Sequence, residues 1–219
     1  MLALGTSRAA AAYHCQARGV SMRSAIAALM LLACGGALAD ERAVITEKGK
    51  DRFETEFAPG GRLQLEVRSG DVRISGTDTN KISIHYEGKN GNGFGEVEVG
   101  CKKLGNNAEL SIAGGPRNEF QIRIEVPRET ELRVRMPFGA LAIENVRGSK
   151  DVEIHAGELT MEIGDPKDYA HIEASVTTGE LNASALGISK GGLFRSYKKA
   201  GPGKYKLSVH VGSGELDLR

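Results

Sequence analysis

The sequence predicts an all-β fold: a single-stranded β-helix, or β-solenoid, with right-handed winding favoured and a less regular N-terminal β cap. Three observations carry this reading. Apolar and polar residues alternate with period two in run after run beyond residue 40, the pattern of strands with one buried and one wet face. A short glycine-centred motif recurs five times. Glycine accounts for 29 of 219 residues, about 13% against an average near 7%, while tryptophan is absent. A chain composed in this way builds its core from Val, Ile and Leu and turns often.

Residues 1–39 read as an address. From Met22, Arg23 supplies a basic n-region, and Ala25 to Ala33 is an apolar segment too short to span a bilayer as a helix. Ala37-Leu38-Ala39 is a small-x-small cleavage site ahead of Asp40. This order is that of a bacterial secretory signal peptide over 22–39. Residues 1–21 add nothing to it and read as an over-extended start. Leu31-Leu32-Ala33-Cys34 also resembles a lipobox, with a tolerated but not favoured Leu at its second position, so lipidation of Cys34 is the alternative to cleavage after Ala39. The expected location is the periplasm or cell envelope of a Gram-negative bacterium. The mature chain has no transmembrane span in this reading; the alternative is a lipid anchor at Cys34.

Charge and cysteine content narrow the partners. Lys plus Arg is 29 and Asp plus Glu is 28. Removing residues 1–39 takes away Arg8, Arg18 and Arg23 and no acid, leaving 26 against 28, a net charge of −2. No global basic footprint remains, and nucleic acid is not an expected partner. Cys101 is then the one cysteine, so the fold must stand without an internal disulfide.

The strands follow in order. Alternation runs through Leu63–Val67, Ile82–Ile84, Val97–Val99, Leu110–Ile112, Phe120–Val126, Leu132–Met136, Val152–Ile154, Leu159–Ile163, Ile172–Val176 and Tyr205–Val211. Prolines 59, 116, 127, 137, 166 and 202 sit at the ends of runs, where no ladder N–H is needed. Residues 40–130, with the glycine-rich turn 88–95, read as irregular first coils or a sandwich-like cap. Residues 131–219 read as solenoid repeats, and 40–219 as one continuous domain.

The motif copies are 67–74, 136–143, 154–161, 176–183 and 211–218, with the consensus apolar, x, small, Gly, acidic, Leu/Val, x, apolar. Apolar positions one and six are five residues apart, so a straight strand would place them on opposite faces. Both reach one core only if the chain turns a corner between them. Gly70, Gly139, Gly157, Gly179 and Gly214 are the residues that permit it. The spacings between the last four, 18, 22 and 35 residues, suggest coils of about 20 residues, with room for two coils in the last gap.

These copies, with the signal peptide and the ending Gly201 to Leu218, resemble the bacterial putative-adhesin family, domain of unknown function 4097. The resemblance covers most of 60–219 and is strongest after Glu131. It implies a β-strand-repeat, single-stranded β-helix domain in the cell envelope, and it brings no catalytic residues. The copy at 136–143 departs from the pattern, with Phe138 for the small residue and Ala140 for the acid, which favours a structural corner over an acidic ligand.

Asp71, Glu158, Glu180 and Glu215 share one motif position and read as solvated corner residues, because like charges in register repel. His85, His155, His171 and His210 lack metal-ligand spacing and read as wet strand residues. Arg195, Lys198, Lys199, Lys204 and Lys206 form a basic cluster on a wet face or loop. No catalytic, metal or cofactor residue is assigned, and no cofactor is expected. The function expected is non-enzymatic: an envelope protein presenting a β surface to an unidentified protein or polysaccharide. The alternatives are a carbohydrate-active β-helix enzyme and a scaffold self-associating through solenoid ends.

Overall fold

A computed structural model describes residues 43–48, 52–88, 97–114 and 120–219. The readings of residues 1–39, Cys34 included, and most of the glycine-rich turn lie outside them. Among the described residues, thirteen strands form one mixed sheet and no α-helix occurs. The all-β expectation holds.

Four strands set the architecture: β9 (Glu131–Glu144), β10 (Lys150–Met161), β13 (Tyr205–Leu218) and β11 (Tyr169–Ala183). They lie parallel in that spatial order, with Gly139, Gly157, Gly214 and Gly179 side by side. Their length cannot be straight. A 14-residue strand runs about 43 Å, whereas the five-residue connection from β9 to β10 spans at most about 22 Å. Lys150 nevertheless lies opposite Leu132, near the start of β9. The end of β9 must therefore return to its own beginning, and the bend falls at the glycine. The side chains agree: Val67, Val72, Met136, Leu141, Ile154, Leu159, Val176, Leu181, Val211 and Leu216, motif positions one and six in every copy, are all buried.

On the N-terminal side the same doubling is made from separate strands. β3 (Arg62–Val67) pairs with the first half of β9, and β4 (Ser69–Thr77) with the second half, so that Gly70 extends the glycine row. Beyond β3 lie β7 (Asn107–Ala113), β6 (Glu98–Leu104) and β1 (Ala43–Lys48); beyond β4 lie β8 (Phe120–Pro127), β5 (Lys81–Gly88) and β2 (Arg52–Glu56). The region read as irregular is thus two four-stranded wings continuing the two faces. Both wings and the long strands enclose one apolar core.

Chain order and stacking order part company at the C-terminal end. β11 turns at Ser184–Leu186 and Gly187 into β12 (Ile188–Ala200), an antiparallel edge strand, and β13 then inserts between β10 and β11. The 35-residue gap read as room for two coils holds this one returning strand. An antiparallel hairpin needs only a tight turn, and β13 supplies a parallel neighbour to the facing edges of both β10 and β11.

Candidate binding surface

Superposition of the glycines also orders the outward side chains. Six residues before each motif glycine stand Gln64, Arg133, Asp151, Ser208 and Glu173, and the register places them in one row, flanked by Glu109 and Lys102 at one end and Lys198 at the other. Ion pairs stitch the row and its neighbours. Arg133 and Arg135 both reach Asp151, at 3.6 and 2.8 Å, and Arg135 also reaches Glu153 at 3.3 Å. Arg62 holds Glu131 at 2.9 Å. Lys198 lies 2.6 Å from Glu173, and its ammonium keeps that carboxyl below the usual carboxylate range.

A cleft of about 980 Å³ crosses this face from β1 to β13. Its cationic lining is Arg62, Lys102, Lys103, Arg133 and Lys206, set against Glu109, Glu131 and Asp151; the buried Lys150 also borders it. Crossing seven strands at about 4.8 Å each, it is some 29 Å long, enough for several residues of an extended polymer. A second cleft, of about 660 Å³, lies among the strand connections, with Arg128, Arg147, Lys204 and Arg219 balanced by Glu129, Glu162, Asp165 and Asp168.

Beneath the connections lies a polar group that the strand-by-strand reading misses. Lys150 occupies an inward column whose other members are Leu63, Leu132, Leu207 and Ile172. Its side chain is buried, and Nζ donates to Tyr169 Oη at 2.9 Å and Gly148 O at 3.4 Å. Tyr169 Oη in turn donates to Ile163 O at 2.9 Å. Burial lowers the ammonium to about 8 and raises the phenol to about 12. Parity is the missed signal: Lys150 shares the phase of Val152 and Ile154.

The residues singled out by sequence fall as follows. Gly70, Gly139, Gly157, Gly214 and Gly179 form one row with φ between 129 and 144°. On Gly139, Gly157, Gly214 and Gly179 an added Cβ would collide with the carbonyl of the neighbouring glycine. Glu158, Glu215 and Glu180 are in register on adjacent strands and exposed, with Ala140 separating them from Asp71. Asn182 Nδ2 donates to Glu215 at 3.4 Å. Among the described residues no three His, Cys, Asp or Glu side chains are arranged to hold a metal ion. His155 approaches Glu153, His171 approaches Glu173, and His210 Nδ1 lies 2.9 Å from Ser175 Oγ. Cys101 is buried, which raises its thiol pKa. Of the basic cluster, Arg195, Lys198 and Lys199 lie on β12, Lys204 precedes β13, and Lys206 lines the larger cleft.

No family model matches the chain, that of domain of unknown function 4097 included, and no curated protein matches it. The family resemblance therefore rests on the motif residues. Among solved structures, the chain is similar to a putative cell adhesion protein from Clostridium sporogenes ATCC 15579, with 15% identity and a TM-score of 0.44 over 81% of this chain and 99% of that one. It is also similar to a putative adhesin from Bacteroides fragilis NCTC 9343, with 13% identity and a TM-score of 0.34 over 82% of this chain and 99% of that one.

Proposed function

We propose that this is a non-enzymatic, exported cell-envelope protein that binds an extended acidic glycan along the cleft from β1 to β13. One observation carries the reading: a long, open groove whose charged lining sets five cations against three carboxylates. A groove of this form favours many weak, charge-complementary contacts along a chain over enclosure of a small molecule. The carboxylates lining it are exposed and ion-paired: Glu131 with Arg62, Asp151 with Arg133 and Arg135, Glu109 with Lys102. A general acid needs the opposite setting, an apolar pocket that raises its pKa.

The architecture that supports this surface we read as a short two-sided β-solenoid, with one doubled strand per coil and the wings as its N-terminal cap. The glycine row and the 18-residue repeat from Gly139 to Gly157 support that reading. Growth of the stack from β12 is disfavoured, because its inward column carries Lys190, Arg195 and Lys199 opposite Leu181, Val176 and Ile172.

Isothermal titration with oligogalacturonate, oligoalginate and neutral dextran tests the function. Binding of the acidic oligomers, weakened by salt and by Arg133→Glu, is the result expected. Equal affinity for dextran, or no binding at all, overturns it. Release of reducing ends or unsaturated products by the wild type replaces it with the enzymatic reading.

A further inference from the structure

We propose a second, separate docking surface: the β12 edge binds an anionic lipid bilayer, with Leu193 and Phe194 as the inserting residues. The glycan reading uses the cleft from β1 to β13; this one uses the last strand of the stack and stands without it.

The observation is an apolar point in a cationic strand. Leu193 and Phe194 are 60% and 79% exposed, and Phe194 is the most exposed large apolar residue among those described. They sit where β12 crosses the corner row, Leu193 opposite Thr178 and Gly192 opposite Gly179. The corner is convex, so both side chains project from a ridge rather than line a groove. Phe194 adopts φ 52°, a left-handed conformation that an aromatic residue takes at a cost.

The apex is also closed on itself. Arg195 Nε donates to Gly191 O at 2.8 Å, and Lys190 Nζ to Ser196 O at 3.5 Å. Two cations are thereby held within four residues of the apolar pair, one on each side. Residues 188–200 contain Lys190, Arg195, Lys198 and Lys199 and no acid. Lys198 is committed to Glu173; the other three lie at the end of the stack. Apolar side chains that enter the acyl boundary while adjacent cations meet lipid headgroups supply the two signals that stable surface attachment requires.

The other occupants fit less well. A second copy pairing edge to edge would bring Lys190, Arg195, Lys198 and Lys199 against the same residues of its partner. A soluble acidic polymer would use the cations but would leave Leu193 and Phe194 without an apolar environment.

The chain lacks tryptophan, so Phe194→Trp places a unique indole at the apex, excited apart from the tyrosines. In the full chain this signal reads the apex alone, whatever residues 1–39 do. With phosphatidylglycerol vesicles, emission from the introduced indole should shift to the blue and be quenched by lipids brominated on the acyl chains. Phosphatidylcholine vesicles should leave it unchanged. Lys190→Gln and Lys199→Gln, each in the Phe194→Trp background, should weaken vesicle binding about fivefold apiece, and 0.5 M salt should weaken it further. Leu193→Trp repeats the measurement should the first variant fold poorly. Phe138→Trp, on the same ridge four strands away, should show no shift. The proposal is overturned by an unshifted apex indole, by an equal shift in the Phe138→Trp variant, by an equal shift with soluble oligogalacturonate, or by a shift that follows protein concentration without vesicles.

Discussion

The carbonyl oxygen of Gly139 occupies the place that a Cβ on Gly157 would need. The relation repeats down the row, from Gly157 to Gly214 and from Gly214 to Gly179. Each corner is therefore pinned twice, by positive φ and by its neighbour's backbone. Gly157→Ala and Gly179→Ala should each destabilise by about 1–3 kcal/mol from strain alone, more where the strands part to admit the methyl. In a domain of this size that is a fall of roughly 3–10 °C in Tm. Gly105→Ala, at φ 57° with open space around it, should cost less. Thermal unfolding of the three variants checks the ranking; equal Tm values would remove the close-approach argument.

Lys150 should make stability rise with pH over a defined window. Its folded pKa is lowered to about 8 from an ordinary 10.5. Between those values the unfolded chain binds a proton that the folded chain does not, so this group's contribution to stability increases with pH. Below about 8 the charged form is buried in the fold at a cost on the order of 3 kcal/mol. Lys150→Met should therefore be more stable than wild type at pH 7, and the difference should shrink as pH rises from 8 toward 10.5. Above pH 10 the raised phenol of Tyr169 acts in the opposite direction, so urea titrations at pH 7, 8.5 and 9.5 are the measurement. A constant difference across them would contradict the assignment.

Tyr169→Phe should be destabilising by about 1–3 kcal/mol. It removes the acceptor for Lys150 and the donor to Ile163 O. In the double variant Lys150→Met/Tyr169→Phe most of that loss should be recovered, because no buried ammonium is left with only Gly148 O. A double-mutant cycle by urea unfolding reads the coupling directly.

The cationic column of β12 should keep the protein monomeric. Lys190→Leu/Arg195→Leu/Lys199→Leu replaces it with apolar side chains opposite Leu181, Val176 and Ile172. The triple variant should associate end to end, visible by size-exclusion chromatography with light scattering. A wild type that already oligomerises through this end would sink the capping role.

Cys101 should resist modification in the folded protein. Its side chain is buried, and burial disfavours the thiolate. Alkylation with peptide mapping at pH 8 should find Cys101 unmodified until urea unfolds the chain.

The alternation of Leu132, Val134 and Met136 with Arg133 and Arg135 was enough to identify a half-buried strand. The five-residue offset between Val211 and Leu216 was enough to demand a corner at Gly214. Both inferences are local: side-chain period and the steric freedom of glycine act within a few residues. Three strands escaped that reading. β1 and β2 are short, and β12, as an edge strand, carries Lys190 and Arg195 where an interior strand would carry Leu and Val. The candidate surface was legible only in part, since Arg133, Asp151, Glu173 and Ser208 become one row only when their glycines are superposed.

By itself, then, the sequence determined an all-β chain with glycine corners and an apolar interior. The order of the stack belongs to the tertiary structure. Nothing between Gly179 and Gly214 states that β13 will return to lie between β10 and β11, because the choice depends on which unpaired edge it completes. Backbone hydrogen-bond demand from strands distant in sequence makes that choice. With it come the cleft from β1 to β13, the buried Lys150–Tyr169 pair, and the exposed apex at Phe194.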